Sequence, residues 1–157
     1  PLKSVGVIAR NFVGRAETFN KKIRQSGRLG DRTGHGGPCF PGAHDLFVST
    51  NGNFYPCEKV SETSEIMNIG NVDSGFNLDN IREQLNIASL TADHCKNCWA
   101  ITNCTICAKQ ADNLSKLSKE MIIRKCREVR NDIDLNLKTY VALKETRYEI
   151  RRFAVNN

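Results

Sequence analysis

An α+β fold is expected for this 157-residue chain on three observations: a hairpin signature, a knot of cysteines and a long helical stripe. The hairpin signature is Leu46–Thr50 and Asn53–Cys57, two alternating apolar runs around Asn51-Gly52. The knot is Cys95-x2-Cys98-x5-Cys104-x2-Cys107, four thiols in thirteen residues, a density that a hydrophobic core has no use for. Beyond Asn113 the positions Leu114, Leu117, Met121, Ile122, Cys126, Val129 and Ile133 step by three and four, as one face of a helix does. The expected architecture is a small cysteine-rich domain with a β-hairpin, metal-binding knuckle loops and flanking helices.

Taken in order, Ser4–Ala9 has the composition of a short buried strand, and Ala16–Gln25 that of a short helix with Phe19 and Ile23 at helical spacing. Gly27–Gly42 holds six glycines and two prolines and is predicted to be a loop. No strand and helix bracket it as a phosphate cradle, so its glycines are assigned to bringing Cys39 close to a bulky ligand. His35 and His44 flank Cys39 as further donors, although a histidine in such a loop is ordinarily solvated.

A type I′ turn at Asn51-Gly52 would pair Thr50 with Asn53, Val48 with Tyr55 and Leu46 with Cys57. Cys57 would then share a face with Leu46, Val48 and Tyr55, with Phe47, Ser49 and Phe54 on the other. Pro56 has no N–H for the ladder and should end the strand beside Cys57. Ile66–Val72 is expected to add a third strand. Asp79–Ala88, capped by Asn77, is expected to be a helix with Ile81, Leu85 and Ile87 or Ala88 inward. Thr91–Asp93 suits a turn or short helix start, and His94, adjacent to Cys95, should point away from it into solvent. Cys126 lies in the apolar stripe, either as a small buried hydrophobe or as a remote ligand delivered by a helix. The alternation Ile133, Leu135, Leu137 argues against helix continuity there, and helix is expected again over Tyr140–Phe153.

The apolar fraction of 39% is low for a chain stabilised by burial alone, which bound metal would help explain. No run is long and apolar enough to span a bilayer, and the N-terminus lacks signal-peptide order, so no membrane partner is expected. An odd count of seven cysteines with two Cys-x-x-Cys pairs points to metal-bound thiolates in a reducing, cytoplasmic setting rather than a secreted disulfide framework. Residues 1–36 carry a net charge of +6, residues 37–112 of −5 and residues 113–157 of +5. The compact motif thus sits in the acidic part, which argues against nucleic acid as partner. The start at Pro1, without methionine, is read as an excised piece of a longer protein. Three segments are expected: a basic N-terminal linker and helix over 1–36, the cysteine domain over 37–126 and a helical extension over 127–157.

Read together, Cys39-x12-Gly52-x4-Cys57, Cys95-x2-Cys98-x5-Cys104-x2-Cys107 and Cys126 resemble the SPASM domain, the C-terminal auxiliary-cluster module of radical S-adenosylmethionine enzymes that modify peptides and proteins. The family usually has three residues between its fifth and sixth cysteines, where Cys104 and Cys107 have two. The run Leu46–Val60 is similar to maturases of cysteine-rich peptides. The resemblance implies two 4Fe-4S clusters, one held by Cys95, Cys98, Cys104 and Cys126, the other by Cys39, Cys57 and Cys107 with one iron lacking a protein sulfur. It implies an oxidoreductase whose upstream barrel domain binds S-adenosylmethionine through a Cys-x3-Cys-x2-Cys motif that this chain lacks, so the chain alone would be inactive. The implied substrate is a cysteine-containing peptide and the implied product a thioether. At the open iron two arrangements are expected: ligation by a substrate thiolate, or a fourth position taken by His44, an upstream residue or a water, which would make the site an electron relay. Rival readings are a sulfatase-maturing or other SPASM oxidoreductase and, in another class, a zinc-stabilised interaction module, since zinc accepts four thiolates and can occupy them in aerobically prepared protein.

Either metal would close long loops that a sparse core cannot hold. Chelator-treated protein is therefore expected to lose its cooperative melting transition, and an unchanged transition would overturn the metal reading.

Overall fold

A computed structural model describes residues 7–25, 27, 34–35 and 39–145. Its elements run α1 (Val7–Gln25), β1 (Phe47–Val48), β2 (Asn53–Tyr55), β3 (Gly70–Asn71), β4 (Gly75–Phe76), α2 (Leu78–Leu85), α3 (Ala92–Cys95), α4 (Ala108–Ala111) and α5 (Lys119–Glu145), with short 3-10 turns at Ile87–Thr91 and Ile101–Asn103. The fold is α+β. Two compact units divide it, one of Gly30–Val129 and one of Pro1–Leu29 with Arg130–Asn157. No helix among the described residues is long and apolar enough to cross a membrane.

In the unit that joins the two ends of the chain, α1 buries Ala16 and Phe19, and α5 buries Ile133. The Phe19 and Tyr140 rings stand 5.9 Å apart, and the Tyr140 hydroxyl donates to Asn20 Oδ1 at 2.9 Å. The strand expected over 4–9 is corrected where it is described: residues 7–9 open α1. A short apolar run does not distinguish strand from helix by periodicity, and helix propagates cheaply from the helical residues that follow. The same cooperativity carries α5 through Ile133–Leu137, where a break was expected. Ile133 stays inward while Leu135 and Leu137 are exposed. The part of the helix expected beyond Glu145 lies outside the described residues, as do residues 4–6 and most of the glycine-rich loop.

In the other unit the four strands form an antiparallel meander in the order β1-β2-β3-β4. The hairpin exists, but its register differs from expectation by one residue: Phe47 pairs with Tyr55 and Val48 with Phe54. Gly52 N–H donates to Ser49 O at 2.9 Å and Gly52 has φ +78°, so the connection is a three-residue loop ending in a left-handed glycine rather than a two-residue type I′ turn. Packing selects this register. It turns Phe47 and Tyr55 to the core, their rings 6.1 Å apart, and leaves Val48 exposed. Strand β2 stops at Tyr55, before Pro56, as the missing N–H requires.

The third strand is only Gly70–Asn71, because Ile66 and Met67 are spent on a turn that drives both into the core. Strand β4 was not anticipated. It pairs so closely with β3 that a Cβ on Gly70, at φ +143°, would run into the backbone of Gly75 and Phe76. Asn77 caps α2 by accepting from Asp79 and Asn80 N–H at 3.2 Å each. The inward face of α2 differs from expectation: Leu85 is exposed and Gln84 is buried, its Nε2 donating to Ile66 O at 2.8 Å. Ile87 is fully buried from the 3-10 turn beyond the helix.

The core of this unit comprises Tyr55, Ile66, Met67, Ile87, Ile106, Ala108, Ala111 and Ile122, with Cys104, Leu117, Cys126 and Val129 packed against it. Leu114 does not join the stripe: it precedes α5 at φ +79° and is exposed. Its carbonyl accepts from Glu65 N–H at 2.7 Å, while Ser64 Oγ donates to Asp112 Oδ1 at 2.7 Å.

Two glycine substitutions should therefore act with opposite signs. Gly70→Ala forces an L side chain into a strained angle against backbone and is expected to cost about 2–4 kcal/mol. Gly14→Ala, within α1 and with nothing inside 4 Å of the added carbon, should stabilise by about 1 kcal/mol. Urea unfolding of both variants checks the pair.

Candidate metal centre

All seven cysteines lie among the described residues and all are thiols. Cys95 ends α3 and is buried, its Sγ donating to Thr91 Oγ1 at 3.3 Å. Its carbonyl accepts from Cys98 N–H at 3.0 Å, so the Cys-x-x-Cys pair sits on one tight backbone turn. A second turn follows: Ile101 N–H donates to Cys98 O at 3.1 Å and Cys104 N–H to Ile101 O at 3.2 Å. Trp99 stands out between them, 58% exposed, while Ala100 and Ile101 are buried and anchor the knuckle. Cys104, at the end of this segment, and Cys126, four residues after Ile122 on the same face of α5, pack on one core. His94 is exposed, as expected.

Cys107 caps α4. Its backbone N–H and its Sγ both donate to Gln110 Oε1, at 2.9 and 3.0 Å. Cys57 follows β2 by two residues and is half-buried, while Cys39 is exposed. The turn after Cys39 is held by Ala43 and His44 N–H donating to Phe40 O, at 3.0 and 3.1 Å. Gly42, at φ +77°, lies under the Phe76 ring, which leaves no room for a Cβ and lays this turn on β4. His44 is exposed and meets the Phe40 ring edge-on at 5.1 Å.

These placements bring Cys39 and Cys57 within electrostatic reach of Cys107. Burial pushes the Cys107 thiol above its ordinary pKa, backbone hydrogen bonding at Lys109 pulls it back, and charge on Cys39 and on Cys57 raises it further. Two sulfurs distant in sequence thus act on the third. Among the described residues no group of three or more His, Cys, Asp or Glu side chains is assembled closely enough to hold a single metal ion. The donor set still suits a thiophilic group: a soft, acceptor-poor set of three thiols, with a raised thiolate energy at Cys107 that a cation would relieve.

Two participants are hard to see in sequence. Gln110 fixes the Cys107 backbone and sulfur, and the only signal for it is a capping-box spacing with cysteine in the usual serine position. His35 is 4% exposed, and neither ring nitrogen has a hydrogen-bond partner. The backbone of Ile106 is close enough to favour its protonated form without meeting hydrogen-bond geometry; burial outweighs it and lowers the pKa. An unpaired buried imidazole costs roughly 1–3 kcal/mol, so the expectation of a solvated loop histidine is corrected for His35 and holds for His44.

In metal-free protein the folded state holds the Cys107 proton at a pH where the unfolded chain has lost it. Stability should therefore fall as pH rises through the ordinary thiol range toward the raised value, and Cys107→Ser should flatten that fall. Alkylation of Cys107 should likewise need a higher pH than an ordinary thiol, and Cys39→Ser should shift that rise downward. A rate profile that ignores Cys39→Ser would show that the two sulfurs do not feel each other.

The chain matches no protein-family model, no curated protein and no solved structure.

Proposed function

We propose that this chain is the auxiliary-cluster part of a radical S-adenosylmethionine peptide maturase, in which Cys95, Cys98, Cys104 and Cys126 hold one 4Fe-4S cluster and Cys39, Cys57 and Cys107 hold a second. The observation that carries the proposal is that Cys39, beside a turn, and Cys57, beyond a strand end, both lie within electrostatic range of Cys107 at a helix start. These are the three that the resemblance to the SPASM domain groups together, apart from the knuckle neighbours of Cys107. Bound clusters of this kind supply single-electron transfer, and an iron without a cysteine offers a Lewis-acid position to a thiolate.

The roles of the chain's own residues follow from their placement. Thr91 orients the Cys95 sulfur and the successive backbone turns present Cys98 and Cys104. Gln110 holds Cys107 while it is still a thiol. The exposed Cys39 side leaves an approach for a cysteine-containing peptide, whose thioether would be made by the radical chemistry of a separate barrel domain.

Anaerobic reconstitution with iron and sulfide tests this. The expected result is about eight irons per chain with a broad visible absorption, falling by about half in Cys57→Ser or Cys98→Ser. Colourless protein that takes up only zinc after the same treatment would sink the proposal in favour of a zinc-stabilised module.

A further inference from the structure

The proposed three-cysteine cluster takes three sulfurs from this chain, whose other four cysteines are assigned to the first cluster. His35 answers to that position on independent grounds. It is 4% exposed with both ring nitrogens unpartnered, and its ring lies near the backbone of Ile106, the residue before Cys107. It also precedes Cys39 by four residues, which limits their Cα separation to about 14 Å even for a fully extended chain. The imidazole is thus close along the sequence to one cysteine of the set and beside the residue that precedes another. Gly34 keeps it there: a Cβ on Gly34 would collide with Ala88, so the backbone presses against that wall only because the residue is glycine.

We propose that His35 is the fourth ligand of the Cys39, Cys57 and Cys107 cluster, and the inference rests on the cluster reading above. The step is simple ligation. A neutral ring nitrogen donates its lone pair to the iron that has no cysteine, the other nitrogen keeps its proton beside the Ile106 backbone, and nothing is oxidised or reduced. A metal-bound histidine ordinarily directs its second nitrogen to such a backbone or carboxylate partner. Imidazole is neutral and more readily exchanged than a fourth thiolate, so His35 would close the cluster at rest and yield its place to an incoming substrate thiolate. His44, edge-on to Phe40 and exposed, has no comparable burial and serves as the internal control.

The test is pulsed electron paramagnetic resonance on the reduced, anaerobically reconstituted chain, prepared with natural and with 15N-labelled histidine. Iron content reports the cluster reading, and nitrogen coupling reports His35. The expected result is about eight irons and a strongly coupled histidine nitrogen that shifts with the isotope, disappears in His35→Ala and His35→Cys and survives His44→Ala. His35→Cys restores a thiolate donor, so it guards against loss of signal through misfolding, and the isotope shift needs no substitution at all. Eight irons without a coupled nitrogen, or a coupling that survives both His35 variants, overturns the His35 assignment and leaves the clusters standing. Failure to take up iron overturns both.

Discussion

A core of eight buried side chains positions most of the sulfurs in this domain. Tyr55, Ile106 and Ile122 belong to that core, and Cys57, Cys107 and Cys126 follow them by two, one and four residues. Cys104 precedes Ile106 by two and packs on the same cluster. Because side chains this deeply buried cannot move without opening a cavity, each anchor restrains the backbone that carries the nearby sulfur. The polar bonds around the core do the same for the loops: Tyr55 donates to Glu62 O at 2.7 Å, and Asn80 Nδ2 donates to Glu65 O and Asn68 O at 2.9 and 2.8 Å. Short strands and four-residue helices would not persist alone, and they are held by these anchors.

Gathering thiols in this way has an electrostatic consequence. Placing Cys39 and Cys57 near a half-buried Cys107 makes its thiolate harder to form, since burial and like charge act in the same direction. A bound cation reverses that balance by converting mutual repulsion into shared attraction, so that free energy of binding becomes free energy of folding. The unpartnered His35 belongs to the same account: a buried imidazole without a hydrogen bond is unfavourable until something accepts its lone pair.

Much of the local structure was legible from local chemistry. Asn77 caps α2 because its side-chain oxygen reaches the first free N–H groups whatever lies around it, and Pro56 ends β2 because its ring nitrogen has no hydrogen to give. The inward face of α5 at Ile122, Cys126, Val129 and Ile133 follows from helical spacing alone, as does the tight turn linking Cys95 and Cys98.

What the sequence determined by itself, then, is the number of sulfurs, their pairing along the chain, the caps and the strand end, all of which depend on residues within a turn of one another. The tertiary structure decided the rest. Hairpin register followed from whether Phe47 or Val48 could be buried opposite Tyr55, and the burial of Gln84 followed from the Ile66 carbonyl that meets it. The approach of Cys39 and Cys57 to Cys107 and the enclosure of His35 depend on segments up to some seventy residues apart being folded together. Such placements are set by long-range packing, which no spacing along the chain encodes.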